Sequence, residues 1–212
     1  MPTLCATTSF PVPTRNLPRY FTGYAPNPIN MKPPQKTPTQ LQNSALPTLP
    51  SHTLYIVLYI RNDPPQLNDF HWALYQHHNT TTGGMKYDVK NINNSWMTDH
   101  AWTGNIFKTN FLCVLIQIAT LGDGDEEKEM STLDLGIRSL DESVNEIPGV
   151  TCRVWLFVIL ERLAREGILR FGEGLENVGL LERECMDFGN AVMGDAAANV
   201  QPRPVVVSRF CR

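Results

Sequence analysis

Three residues far apart in the chain, Cys152, His71 and Asp88, could together make an activated thiol. Cys152 lies in TCRVWLFVIL, at the head of an apolar stretch that Thr151 can cap as a helix. Unpaired N–H groups and the helix dipole favour a thiolate at such a start, so a cysteine there tends toward a lowered pKa. His71 opens HWALYQH, a run of strand-like composition. A thiol nucleophile needs a base within hydrogen-bond reach, and the base needs a third group to orient it. Asp88, in KYDVKN, lies on the strand that a hairpin would pair with that of His71. A carboxylate there could hold one imidazole nitrogen and leave the other for sulfur. Each residue alone has a plainer reading. A buried cysteine packs as a small hydrophobe. A strand histidine satisfies itself at the core or rim, and a strand aspartate is solvated. Each nevertheless sits where the same chemistry would place it.

These residues need a scaffold. TLYIVLYI (53–60) is β-branched and aromatic and reads as a buried strand. HWALYQH is a second strand, MKYDVKNI (85–92) a third, SWMTDHAW a fourth and NFLCVLIQIATL (110–121) a central one. HNTTTGG suits a hairpin connection. GDGDEEKE is expected to be a solvated turn. It lacks the glycine and glutamate positions of a calcium loop. In STLDLGIRSLDESVNEIPG, Leu133, Ile137, Leu140 and Val144 recur at helical spacing, with Ser131 as cap, Asp134 in the first turn and Pro148-Gly149 as the stop. The Cys152 helix is apolar on every side from Val154 to Leu160, as a buried helix is, and Gly167 ends it. A last helix runs from about Leu175 to Ala198. Strands followed by helices predict an α+β fold, with an antiparallel sheet packed against a helical half that contains a buried central helix.

Composition divides the chain. Eleven of the 16 prolines fall in residues 1–50, which reads as a disordered Pro/Thr-rich tail. Residues 51–198 form a single domain, and 199–212 a C-terminal tail. Four of the 18 basic residues (Arg15, Arg19, Lys32 and Lys36) lie in the first fifty, with no acid; the other 14 share the remainder with all 21 acids. An acidic folded part does not suit nucleic-acid binding. The sequence contains no apolar run of membrane-spanning length and no secretory leader pattern. Intracellular, cytoplasmic residence is therefore expected, with mitochondria as an alternative from the basic, Thr-rich start. Five spread cysteines without a CxxC pair imply free thiols and no zinc site.

Other candidates carry less. His77 and His78 are placed at an exposed hairpin tip, where metal binding would be adventitious. His100 with Asp99 is an alternative orienter of His71. Trp72, Trp96, Trp102 and Trp155 are expected to pack the core. GEG (172–174) follows no strand and is not a phosphate loop.

HWALY, a hairpin, another strand and then, much later, a cysteine opening an apolar helix together resemble the circularly permuted papain-like fold, in its NlpC-type and lecithin:retinol acyltransferase-like forms. The chain also resembles an uncharacterised fungal domain family with an HWAL…KN…W half and a cysteine-led helical half. The likeness spans roughly residues 53–190. It implies His71 as general base, Cys152 as nucleophile and Asp88 at the third position. Asp88 stands where those relatives commonly carry histidine. The helix opens Thr-Cys-Arg-Val, where the acyltransferases open Asn-Cys-Glu-His, so a lipid substrate does not carry over. The resulting expectation is a thiol-dependent hydrolase or acyltransferase acting on an amide or ester of a small molecule or peptide, with no cofactor and no metal. The rival is a non-catalytic domain whose N-terminal tail or surface binds a protein partner.

Overall fold

The computed structural model describes residues 35–121, 125–170 and 177–210. Lys36–Arg212 forms one compact unit. The fold is α+β. A six-stranded sheet has the order β6-β3-β2-β1-β7-β8, where β1 is Thr53–Ile60, β2 Phe70–Asn79, β3 Gly83–Tyr87, β6 Ala101–Thr103, β7 Leu112–Thr120 and β8 Val205–Val207. All neighbours are antiparallel except β7 and β8.

β1 is buried at every residue because both of its faces are covered, which is why its sequence reads as a continuous apolar run. Leu54, Ile56 and Leu58 face a core shared with the helices α3 (Cys152–Arg165) and α4 (Asn177–Ala197). Tyr55, Val57 and Tyr59 alternate to the other face, in a second core.

That second face corrects the expected tail. Pro38–Ala45 is a helix, α1, followed by a 3-10 turn at Leu46–Thr48. Thr37 and Gln40 form a capping box, and Pro38 takes the first helical position, where its missing N–H costs nothing. Ala45, Leu46 and Leu49 then bury against Tyr55, Tyr75 and Phe107. The prolines that suggested disorder here start a helix, and the first 34 residues lie outside the described ones. The C-terminal tail is corrected too. Its Val205–Val207 pairs with β7. Arg203, buried, donates to the carbonyls of Asp195, Ala196 and Val200 and so ties this segment to the end of α4.

The expected third and fourth strands each split. MKYDVKNI breaks at Asp88 into β3 and β4 (Val89–Ile92), and SWMTDHAW into β5 (Ser95–Thr98) and β6. β4 and β5 form a separate two-stranded hairpin. The break is held by the backbone: Asp99 N–H donates to Asp88 O at 2.8 Å. α2 begins at Glu126, not Ser131, and ends at Arg138. Asp125 caps it, and three glutamates occupy its first turn, where the dipole favours them. Half of the expected solvated turn is therefore helix. The Thr151 cap and the α3 start at Cys152 match the expectation. Gly167, with φ +73°, follows the end of α3 in the left-handed conformation that glycine adopts without strain.

Candidate functional site

β3 leaves the sheet early. Its ladder with β2 stops at the Leu74–Tyr87 pair, and the chain turns at Asp88 into the β4–β5 hairpin. The β3-side edge of β2 around residues 70–73 is thus free of strand partner, and the start of α3 packs there. The Trp72 backbone N–H lies close enough to the Cys152 sulfur to favour its thiolate. His71 projects from the opposite face to Trp72, by strand alternation. Asp88, just past the last β2–β3 pair, is its near neighbour across the two strands.

The three sequence-identified residues meet. His71 Nε2 donates to Asp88 Oδ1 at 2.7 Å, which leaves the Nδ1 side of the ring for the neighbouring Cys152 thiol. Asp88 is fully buried at 1% exposure, whereas His71 keeps 26% of its side chain exposed. Its second oxygen, Oδ2, accepts from Lys86 Nζ at 3.0 Å. Burial works against the charged form of His71, but the hydrogen bonds and charges of Asp88 and Cys152 outweigh it and raise its pKa to about 9. Burial likewise pushes the Cys152 thiol up. The His71 hydrogen bond and charge, the Trp72 N–H and the Arg61 charge outweigh that and lower it. Asp88 is also held below its ordinary value: burial is opposed by the hydrogen bond and charge of His71 and by Lys86. All three shifts favour a carboxylate–imidazolium–thiolate line.

Arg61 follows β1 directly, and its charge acts on the thiol although Asp69 lies 3.7 Å from its Nε. Thr151 Oγ1 accepts from Val154 N–H, and among the described residues the Cys152 and Arg153 N–H groups of the α3 first turn have no backbone partner within the helix.

His100 does not orient His71. Its Nδ1 accepts from the Asp88 backbone N–H at 3.1 Å, and its Nε2 donates to Asp141 Oδ1 at 3.1 Å. It fixes the Asp88 backbone. Asp99 instead pairs with Lys90. Lys86, Lys90 and Asp141 are not among the residues the sequence points to. Lys86 carried a signal there, because residues two apart on a strand share a face. Asp141 carried none.

Elsewhere the structure corrects the sequence reading. His77 is inside β2 and fully buried, not at a tip, and His78 is half-buried, because the strand runs on to Asn79. Trp72 and Trp155 pack the core, Trp96 is half-buried, and Trp102 is 48% exposed on edge strand β6. GEG at 172–174 lies outside the described residues. Among the described residues no group of three or more His, Cys, Asp or Glu could hold a metal ion. No described helix is long and apolar enough to cross a membrane. A cavity of about 570 Å³ opens elsewhere, between α2 and the β2–β3–β6 end of the sheet, lined by His78, Met85, Tyr87, Trp102, Glu127 and Asp134 among others. Cys152, His71 and Asp88 do not line it.

The structure is thus an α+β domain in which one partly exposed imidazole stands beside a buried carboxylate and a buried cysteine. The chain belongs to a family of unknown function, DUF6914, whose model matches residues 52–194. No curated protein and no solved structure matches the chain.

Proposed function

We propose that this domain is a thiol-dependent hydrolase or acyltransferase acting on an amide or ester, with Cys152 as nucleophile, His71 as proton carrier and Asp88 as orienter. One observation carries the reading: a single imidazole, 2.7 Å from a buried carboxylate, also stands beside a buried thiol at the first position of α3. His71 takes the Cys152 proton, and the sulfur bonds to the carbonyl carbon as the carbonyl π electrons move to oxygen. The N–H groups at the helix start then donate to that oxyanion. When the tetrahedral adduct collapses, the bond to the amine or alcohol breaks, and the imidazolium gives that group its proton. Water, or an acceptor hydroxyl or amine, then loses a proton to His71 as it attacks the thioester carbon, and the sulfur departs. The chain order, histidine strand before cysteine helix, supports a permuted papain-like arrangement. No cofactor or metal takes part in these steps. The free thiols of Cys113, Cys152 and Cys185 support an intracellular setting, cytoplasmic or mitochondrial.

The test is iodoacetamide labelling as a function of pH, read at each cysteine by peptide mass spectrometry in wild type and His71→Ala. Cys152 labelling far ahead of Cys113 and Cys185 near neutral pH, with that lead lost in His71→Ala, is the expected result. Labelling only on unfolding ends the proposal. The α2 cavity favours a second reading, a non-catalytic domain that binds a ligand or protein partner there, and an unreactive Cys152 would leave that reading standing.

A further inference from the structure

We propose that Lys86 is a positioning residue of this site: it occupies Oδ2 of Asp88, leaves Oδ1 to His71, and limits how tightly the carboxylate holds the imidazole proton. The inference rests on the thiol chemistry proposed above.

Lys86 and Asp88 are two residues apart at the end of β3, so both side chains leave the sheet on the face of His71. Lys86 lies between Tyr75 of β2 and Ala101 of β6 in register. Only 16% of its side chain is exposed, and the carboxylate it meets is buried. Each oxygen of Asp88 therefore serves a different cationic partner, Oδ1 at 2.7 Å from His71 and Oδ2 at 3.0 Å from Lys86. With the thiol ionised, four charges alternate in a line: Lys86, Asp88, His71, Cys152. In that line Lys86 competes with the imidazolium for one carboxylate. Remove it, and the whole negative charge acts on His71, which then holds its proton more tightly and becomes a poorer acid for the leaving group.

The neighbouring charges do not substitute for it. Lys90, on β4, feels Asp88 but is paired with Asp99. Arg61, beyond β1, acts on the thiol. Tyr59, from β1, lies with its ring centre 6.0 Å from that of His71, and the Asp88 charge together with burial disfavours its ionisation. His100 contacts the Asp88 backbone, not its carboxylate.

The test follows the His71 ring proton by NMR against pH in the full chain, for wild type, Lys86→Met and Lys86→Arg. Lys86→Met is expected to raise the His71 midpoint by about one pH unit, as loss of a neighbouring charge does, and Lys86→Arg to restore it. In an Asp88→Asn background, Lys86→Met should leave the His71 midpoint unmoved. A folded Lys86→Met with an unchanged His71 midpoint overturns the inference, whatever it does to thermal stability. Lys86→Gln provides the same reading if the Met variant does not fold. Cys152 labelling in the same samples separates the two ideas. A His71 shift with an inert Cys152 supports the Lys86–Asp88–His71 coupling and removes the catalytic reading. A reactive Cys152 with no His71 shift removes only the role of Lys86.

Discussion

His71 and His77 stand on the same face of the same strand, six residues apart, and have opposite electrostatics. His71 has its pKa raised to about 9; His77 has it lowered to about 4. Burial disfavours the charged form of both. At His71 a buried carboxylate and a thiol outweigh burial. At His77 nothing does: burial is reinforced by the charges of His78 and His52, and the ring partner is the neutral Tyr75 hydroxyl, 2.9 Å from Nδ1. The protonation state of a strand histidine is thus decided by what crosses to it from other elements. β3 delivers a carboxylate only to one end of β2, and α3 delivers a thiol only to the same end.

The sharpest way to break the comparison is to remove the imidazole. His71→Ala should slow Cys152 alkylation at about pH 6 by about 100-fold, because a thiol of ordinary pKa is barely ionised there. Equal rates in both proteins would mean that His71 does nothing for the thiol. Asp88→Asn comes next. It should bring the His71 midpoint down from about 9 by about two units, toward the value of an imidazole without a carboxylate, followed by NMR. A midpoint that stays put would deny Asp88 its role.

The support behind the strand gives a smaller effect. A Cβ on Gly189 of α4 would lie 2.8 Å from the Phe70 ring and 2.9 Å from Leu58 Cδ1. Gly189→Ala should therefore destabilise the domain by about 1–3 kcal/mol, read by urea denaturation, and the loss should extend to Cys152 reactivity because Phe70 precedes His71.

The pH dependence of stability separates the two histidines further. The folded pKa of His71 lies above its ordinary 6.5, so its contribution is complete below 6.5 and lost as pH rises through about 9. The folded pKa of His77 lies below 6.5, so stability is lost as pH falls from 6.5 toward about 4, where the unfolded chain takes up the proton first. The alkaline slope of the urea midpoint should flatten in His71→Ala and the acid slope in His77→Gln. The reverse assignment would contradict the electrostatics of both. Trp102→Ala, which removes the indole donor to Thr82 O at 2.7 Å and the edge contact with the His78 ring, should lower stability by about 1 kcal/mol, read as a shift of the urea midpoint.

Local patterns were enough to show the α+β class, β1, β2 and β7, and the start of α3 at Cys152. Each depends on neighbours in the chain: a β-branched run buried on both faces, an alternating strand, a Thr cap before an apolar helix. Local patterns misled where tertiary contacts overrode them. Pro38 reads as disorder by composition, but Ala45, Leu46 and Leu49 bury against the sheet and make its segment a helix. MKYDVKNI looked like one strand, yet its break at Asp88 is made by Asp99 and His100 reaching back to the Asp88 backbone. The terminal valines gave no pattern, because a three-residue strand exists only when β7 offers an edge.

The sequence by itself determined the participants at the site: a cysteine at a helix start, a histidine at a strand start and an aspartate one hairpin away. Only the tertiary structure decided that they meet, because meeting requires β3 to leave the sheet and free the edge of β2 for α3. It also decided that Lys86 completes the Asp88 carboxylate and that His100 stands behind it. Long-range packing sets those distances, and neither hydrophobic period nor residue spacing encodes them.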